Sequence, residues 1–503
     1  MTSLLWLVAC PLYGQNVNRP VPAEVVSYEF VRYDTASHGY YLTAPFAIGT
    51  PAGLENLTSP AMILDADGFL VWYLPTDAQP LLDFKYHPDY QQYSFIRNQS
   101  TADIRFALMD TDFQLLDSFT TINGIAPDLH EFQITENQAY LLSGLHDSIM
   151  DLSGFTFNGA PGSAQTHAIG FVVQELDENR DLLFQWNSNE YLHPSEAYDQ
   201  YGYGPNYFDY AHGNAITETP NGDLLVSLRN TNGIYKVNRQ SGALEWKLGG
   251  KLSSFTFAND PGFSAQHDVQ YLPNGNITLF DNANMAQAPK VSRAVEYSLD
   301  TINWVATKVW EYQHTPGFFS PAMGNHQTSE ERLHLVNYGL NFRPDPSFVL
   351  TDDEGQVLSA LFFRDSFVSY RSFVFNLPFP ENARPAITCT QQGNNIVLSA
   401  PEGYARYQWS TGQSGSSIVI DQPGMYQVWV NYGAGMLGSL PLVINSESNC
   451  ALISTSTPEL VDDQAITGYF DLLGRALAQP PVGAVYVARF ANGAAKLMVR
   501  MKE

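Results

Sequence analysis

His212-Gly213-Asn214-Ala215-Ile216, Gly222-Asp223-Leu224-Leu225-Val226-Ser227, Gly233-Ile234-Tyr235-Lys236-Val237 and Ala243-Leu244-Glu245-Trp246 are four short strand-like segments in a row. The pairs Asn221-Gly222 and Ser241-Gly242 punctuate them, and such pairs supply the positive φ that tight hairpins need. The same order recurs downstream. There it reads His267-Asp268-Val269-Gln270-Tyr271, Gly275-Asn276-Ile277-Thr278-Leu279-Phe280, Arg293-Ala294-Val295-Glu296-Tyr297-Ser298-Leu299 and Thr307-Lys308-Val309-Trp310. Four strands per unit, the last carrying Trp, is the pattern of a β-propeller blade. Weaker copies start near Tyr86-His87, at Leu129-His130-Glu131-Phe132 and at Asn325-His326-Gln327. Ile63-Leu64-Asp65 and Val71-Trp72-Tyr73 supply outer strands of a first blade, which Tyr370-Arg371-Ser372-Phe373-Val374-Phe375 can close from the C-terminal side. Long helical periodicity is missing. The reading is all-β: a propeller over residues 16–380 with six blades, seven remaining open.

Composition agrees. The chain has 503 residues, 44% hydrophobic, 13% aromatic and only 15% charged, which suits a β-rich exported protein and excludes global disorder. A net charge of −26 argues against nucleic acid or anionic membrane as the main partner. An anionic substrate therefore needs a locally positive pocket.

The apolar run Leu4-Leu5-Trp6-Leu7-Val8-Ala9-Cys10-Pro11-Leu12-Tyr13-Gly14-Gln15 is too short to span a bilayer. It reads as a signal peptide over residues 1–15, and Leu7-Val8-Ala9-Cys10 also resembles a lipobox. No other run approaches a membrane span. Export implies an oxidising compartment, so Cys389 and Cys450 become a candidate disulfide. They bracket residues 386–450, whose short alternating strands fit an immunoglobulin-like sandwich. That segment resembles the modules that precede sorting domains in secreted Bacteroidetes proteins. Ser454-Thr455-Ser456-Thr457-Pro458 reads as a linker.

Residues 458–503 resemble a type IX secretion sorting domain. The resemblance rests on the Asp471-Leu472-Leu473-Gly474-Arg475 turn, Gly483 with Tyr486, the Asn492-Gly493 turn and a basic final strand, Lys496-Leu497-Met498-Val499-Arg500. Gly483 and Tyr486 stand one residue further apart than that family's pattern. Such a domain is an address read by the secretion machinery. It implies a secreted or cell-surface protein.

In a propeller the first positions of the inner strands converge on one channel. Repeat register therefore brings together His130, His212, Asn214, Arg229 and His267. His38, His146, His167, His193, His314 and His334 fall outside that register and read as structural. A metal is disfavoured by Arg229 and by the absence of close His-x-His or His-x-x-x-His spacing. An oxyanion suits imidazolium, guanidinium and amide donors better. No Gly-rich phosphate loop precedes a helix, so no nucleotide cofactor is expected, nor any other.

The ordered series from Asp128-Leu129-His130-Glu131-Phe132 and His212-Gly213-Asn214 through Leu228-Arg229-Asn230, Trp246-Lys247-Leu248-Gly249-Gly250 and Gln266-His267-Asp268 goes further. It continues through Leu279-Phe280-Asp281-Asn282, Ser292-Arg293-Ala294 and Met323-Gly324-Asn325. This series resembles the bacterial arylsulfotransferase family. The resemblance implies a six-bladed propeller that moves a sulfuryl group from a phenolic sulfate ester to a phenol through a sulfohistidine. It implies His267 as nucleophile, His212, Asn214 and Arg229 on the sulfuryl oxygens, and His130 assisting at the phenolic oxygen. Arg293 and Asn325 are the further substrate-binding candidates. Two other readings stay open: a non-catalytic surface propeller that binds glycan or protein, and a metal-dependent propeller hydrolase.

Overall fold

The computed structural model describes residues 15–16, 19–49, 58–76, 80–100, 103–157, 160–198, 206–342, 344–364, 366–392 and 395–444, with five short strands between 453 and 499. It is nearly all-β, 50% strand and 3% helix. No helix among the described residues is long and apolar enough to cross a membrane.

Antiparallel four-stranded meanders follow one another along the chain. One is Leu81–His87, Gln92–Ser100, Asp103–Met109 and Leu115–Phe119. The next is Ala126–Ile134, Tyr140–Met150, Thr166–Leu176 and Leu182–Asn187. Then come Gly213–Glu218, Leu224–Leu228, Gly233–Val237 and Leu244–Gly249. His267–Tyr271, Ile277–Asp281, Arg293–Asp300 and Val305–Tyr312 follow. Asn325–Thr328, His334–Asn337, Phe348–Thr351 and Val357–Phe363 form another, with Tyr28–Arg32 added outside. The remaining sheet joins the two ends of this region: Phe367–Phe375 pairs with Tyr40–Ala47, which continues into Ala61–Leu64 and Leu70–Leu74. Each innermost strand touches the next, and Asn325–Thr328 touches Phe367–Phe375, so the ring of contacts closes. Trp72, Trp186, Trp246 and Trp310 all lie on fourth strands, where Trp72 and Trp186 are fully buried between sheets.

The inner strands do not run straight. Register shifts interrupt Leu82/Lys85, Pro127/Phe132, Gly213/Ala215 and His267/Gln270. Asp83 and Asp268 take left-handed φ of 52° and 55° at two of them. A bulge re-aims the next side chain, and here it breaks the alternation a sequence reading relies on. The Leu81–His87 strand therefore begins ahead of Tyr86-His87, the start suggested by the sequence.

The bulges deliver charge to the middle of the ring. Arg371 donates to Asp83 at 2.9 Å, Glu131 at 3.0 Å and the Asn214 carbonyl at 2.6 Å. Its Nε lies 3.7 Å from Asp268, and Lys85 bridges Asp83 and Glu131 at 2.7 and 2.6 Å. Asn325 exchanges two hydrogen bonds with the Ser372 backbone, and Gln327 does the same with Val374. These amides stitch one inner strand to the next.

The segment expected as a separate immunoglobulin-like module is fused to the ring. Strands Thr388–Gln392, Asn395–Ser399 and Ser417–Ile420 form one sheet. Tyr407–Trp409, Val428–Tyr432 and Gly435–Gly438 continue the sheet that contains Leu70–Leu74. The physical reason is that Leu70–Leu74 is buried along its whole length and needs a partner on its outer edge. Trp429, fully buried, donates its indole N–H to the Leu70 carbonyl at 3.0 Å. Cys389 is disulfide-bonded, while Cys450 and Cys10 lie outside the described residues. So does the segment 1–15 expected as a signal peptide, apart from Gln15, which with Asn16 pairs with Val31 and Arg32. Within 458–503, Ile466–Phe470, Ala476–Leu477, Val485–Phe490 and Ala495–Val499 pair into a sheet, and both turns quoted for the sorting domain lie outside the described residues.

Two stability predictions follow from these contacts. Arg371→Met leaves the Asp83 and Glu131 carboxylates with Lys85 as their remaining cation and should cost about 3–5 kcal/mol in denaturant unfolding. Trp429→Ala removes a buried ring at the junction and should cost about 3–5 kcal/mol, lowering the melting temperature of the propeller region itself.

Candidate active site

His212 begins the Gly213–Glu218 strand from a left-handed φ of 48°. Its N–H donates to Asp209 at 3.0 Å and its carbonyl accepts the Arg229 N–H at 3.0 Å, which fixes the kink. Gly213 is required beside it, because a Cβ there would stand 2.2 Å from the Phe171 ring. His212 Nδ1 bonds the Asp209 carboxylate at 2.6 Å, and His130 Nδ1 bonds Asp128 at 2.8 Å. Each carboxylate leaves Nε2 as the ring atom available to a ligand. The two rings meet edge to face with centroids 5.1 Å apart, and Tyr370 lies 5.7 Å from His130.

His267 is deeper. It is 2% exposed, against side-chain exposures of 14% for His130 and 29% for His212. Its Nδ1 faces the Ala265 carbonyl at 3.0 Å and Asn282 Oδ1 at 2.7 Å, and its Nε2 accepts the Met323 N–H at 3.2 Å. Burial, then the Arg229 charge, holds its basicity well below the ordinary imidazole range, with His130 and His212 adding to the effect. Burial alone would raise the Asp128 carboxyl, but His130 beside it outweighs burial and holds it below its usual range.

Arg229 opens the short turn after Leu224–Leu228 and donates to Asn230 Oδ1 at 3.0 Å and the Pro321 carbonyl at 3.1 Å. Those bonds hold the guanidinium beside the histidines rather than in solvent. The ensemble is one weakly basic imidazole and two carboxylate-backed imidazoles in the field of one guanidinium. It can bind an oxyanion, offer a neutral nitrogen to it and exchange a proton. Among the described residues, no group of three His, Cys, Asp or Glu side chains is placed to hold a metal ion.

Three of the candidate substrate-binding residues make structural bonds. Arg293 donates through Nε to Asp281, through Nη1 to Asp260 and Glu311, and through Nη2 to Asp260 and the Gly262 carbonyl. All five N–H groups of its guanidinium are thus taken, because a cation buried this far needs counter-charge on every side. Asn325 is committed to the Ser372 backbone. Asn214 is fully buried and donates to the Gln266 carbonyl at 2.8 Å, so it ties two inner strands. The residues that sequence reasoning left without a role are Asp128, Asp209, Asn282 and the Met323 N–H. A signal for two of them was present: an Asp precedes His130 by two positions and His212 by three.

The sequence pattern of the Arylsulfotransferase (ASST) family matches residues 53–343, more than half of the chain. The chain belongs to the arylsulfotransferase family. No curated protein shows a significant match. Among solved structures, the chain is similar to a protein of unknown function from Bacteroides caccae, with 12% identity and a TM-score of 0.42 over 67% of this chain and 98% of that one. It is also similar to the periplasmic gluconolactonase PpgL of Pseudomonas aeruginosa, with 12% identity and a TM-score of 0.37 over 80% and 99%. A catalytically inactive virginiamycin B lyase from Staphylococcus aureus with quinupristin shows 13% identity and a TM-score of 0.33 over 74% and 98%.

The two arginines of this arylsulfotransferase-family chain should separate in a melting experiment. Arg293→Ala takes the cation from buried Asp281 and leaves Asp260 with Lys308 and the Tyr297 hydroxyl, and should cost about 3–5 kcal/mol. Arg229→Ala removes hydrogen bonds at the rim and should cost only about 1–2 kcal/mol.

Proposed function

We propose that the chain is an exported, nucleotide-independent aryl sulfotransferase built on a six-bladed propeller, working through a sulfohistidine at His267. The observation that carries this reading is the difference between His267, buried and weakly basic beside an amide, and His130 and His212, each backed by a carboxylate.

The chemistry runs as two displacements at sulfur. Nε2 of neutral His267 first gives up the Met323 N–H bond, then attacks the sulfur of an aryl sulfate along that direction as the sulfur–phenolic oxygen bond breaks. Nε2 of His130 returns a proton to the departing phenolate. Arg229 and His212 meet the charge on the sulfuryl oxygens throughout. In the second half a phenol acceptor gives its proton back to His130 and its oxygen takes the sulfuryl group, releasing His267. Both partners are small phenolic molecules, and no cofactor enters. We read delivery through type IX secretion to the cell surface or beyond from the apolar run Leu4–Tyr13 and the motifs within 458–503, and the disulfide-bonded Cys389 fits an oxidising compartment.

The test is incubation with an aryl sulfate and a phenol, reading the sulfated acceptor. His267→Ala should abolish transfer in a folded protein, and Arg229→Ala should slow it about 100- to 1000-fold. His193→Ala, at an exposed turn where the ring accepts the Ser195 N–H, should change little. With donor alone, the added sulfuryl mass should sit on the His267 peptide. Because the nucleophile's basicity is depressed, it is protonated only well below the ordinary imidazole range. The rate should therefore persist as pH falls through that range. Robust turnover by His267→Ala would remove this mechanism.

A further inference from the structure

We infer that Asn282 is the positioning residue of the nucleophile, holding the His267 ring and the 320–323 segment in one frame; this rests on the sulfohistidine reading above. The amide orientation is fixed by its neighbours. Asn282 Nδ2 lies 2.9 Å from the Ser320 carbonyl and 3.0 Å from the Met323 carbonyl, and carbonyls only accept. The amide oxygen therefore faces His267 Nδ1, at 2.7 Å. The Ala265 carbonyl, at 3.0 Å, makes the same demand. Both acceptors require the proton on Nδ1, which leaves the lone pair on Nε2, the atom that must attack.

The backing group also divides the labour among the three histidines. Asp128 and Asp209 lie on Nδ1 of His130 and His212, so each of those rings is oriented by a charged acceptor. An amide accepts the same hydrogen bond without adding charge. His267 is thus oriented as firmly as its neighbours while staying neutral. The 320–323 segment held by Asn282 carries the Met323 N–H that meets Nε2, and the Pro321 carbonyl that accepts from Arg229. One side chain therefore sets the direction of the nucleophile and the position of the guanidinium's anchor.

Two full-length variants test this. Asn282→Asp is isosteric and places a carboxyl oxygen on Nδ1, while giving up the bonds donated to the Ser320 and Met323 carbonyls, so thermal unfolding first confirms that the variant is folded. The acid limb of its kcat/KM profile should move up by about one pH unit or more. Asn282→Ala should lower kcat about 10- to 100-fold with KM little changed, since the groups that bind the sulfuryl oxygens remain. A readout independent of turnover is the titration of His267 in nitrogen-labelled protein, followed by long-range nitrogen–proton correlation spectra and assigned by loss of the signal in His267→Ala. The His267 transition should rise in Asn282→Asp. Folded Asn282→Asp with an unchanged His267 transition would overturn the inference even if the wild type transfers sulfuryl groups. A wild type that transfers none, with a shifted transition in Asn282→Asp, would keep the positioning role and remove the sulfotransfer reading instead.

Discussion

The Arg371 guanidinium is the contact on which the ring depends. It reaches Asp83 on one inner strand, Glu131 on the next, the Asn214 carbonyl on the third and Asp268 on the fourth. Burial works against its charge, but Glu131 and Asp83 outweigh burial and keep it protonated. The opposite balance holds at Asp83 and Asp268, where burial pushes the carboxyls up despite the cations beside them. A buried ionic cluster of this kind is favourable only when nearly every polar atom has a partner. Bulges and left-handed residues on the inner strands bring those partners to the centre, at a cost of about 1–3 kcal/mol for each strained residue.

The same distortions place the chemistry. His267 and Asp268 are neighbours in sequence, yet one faces the histidine cluster and the other joins the ionic centre. Alternation along the strand already separates the two, and the register shift between His267 and Gln270 falls at this point. His212 and Gly213 repeat the device one sheet earlier, with Phe171 pressed against the glycine. The histidine cluster and the ionic centre are therefore built from the same stretches of backbone. A substitution that relaxes one will disturb the other.

At the rim the chain protects what the ring exposes. Phe367–Phe375 returns to pair with Tyr40–Ala47, so a late strand closes the first sheet. Tyr28–Arg32 covers the outer edge of Val357–Phe363. Leu70–Leu74 is covered by Gly435–Gly438, which makes residues beyond the ring part of its packing. Arg384 adds bonds to the Gly438 and Ser439 carbonyls, and the Ala434 N–H bonds the Phe113 carbonyl at 2.7 Å.

The sequence by itself determined the four-strand units, the tryptophans on the fourth strands and the convergence of His130, His212 and His267. Those follow from period-two alternation, Asn-Gly punctuation and repeat register, which are local signals that survive without a structure. It also pointed to Arg229 as the cation near them. It could not separate Arg229 from Arg293, because both are arginines near the ends of strands in matching units. Only the fold surrounds Arg293 with Asp260, Asp281 and Glu311, residues as far as 33 positions away. Nor could it see that Asn325 and Asn214 stitch strands, or that the segment after residue 384 completes the first sheet. Hydrogen-bond partners between sheets are set by bulges and ring closure, and neither leaves a periodic trace in the chain. The depressed basicity of His267 was decided there too, by its burial and by the Arg229 charge, with the Asn282 amide behind Nδ1 acting the other way.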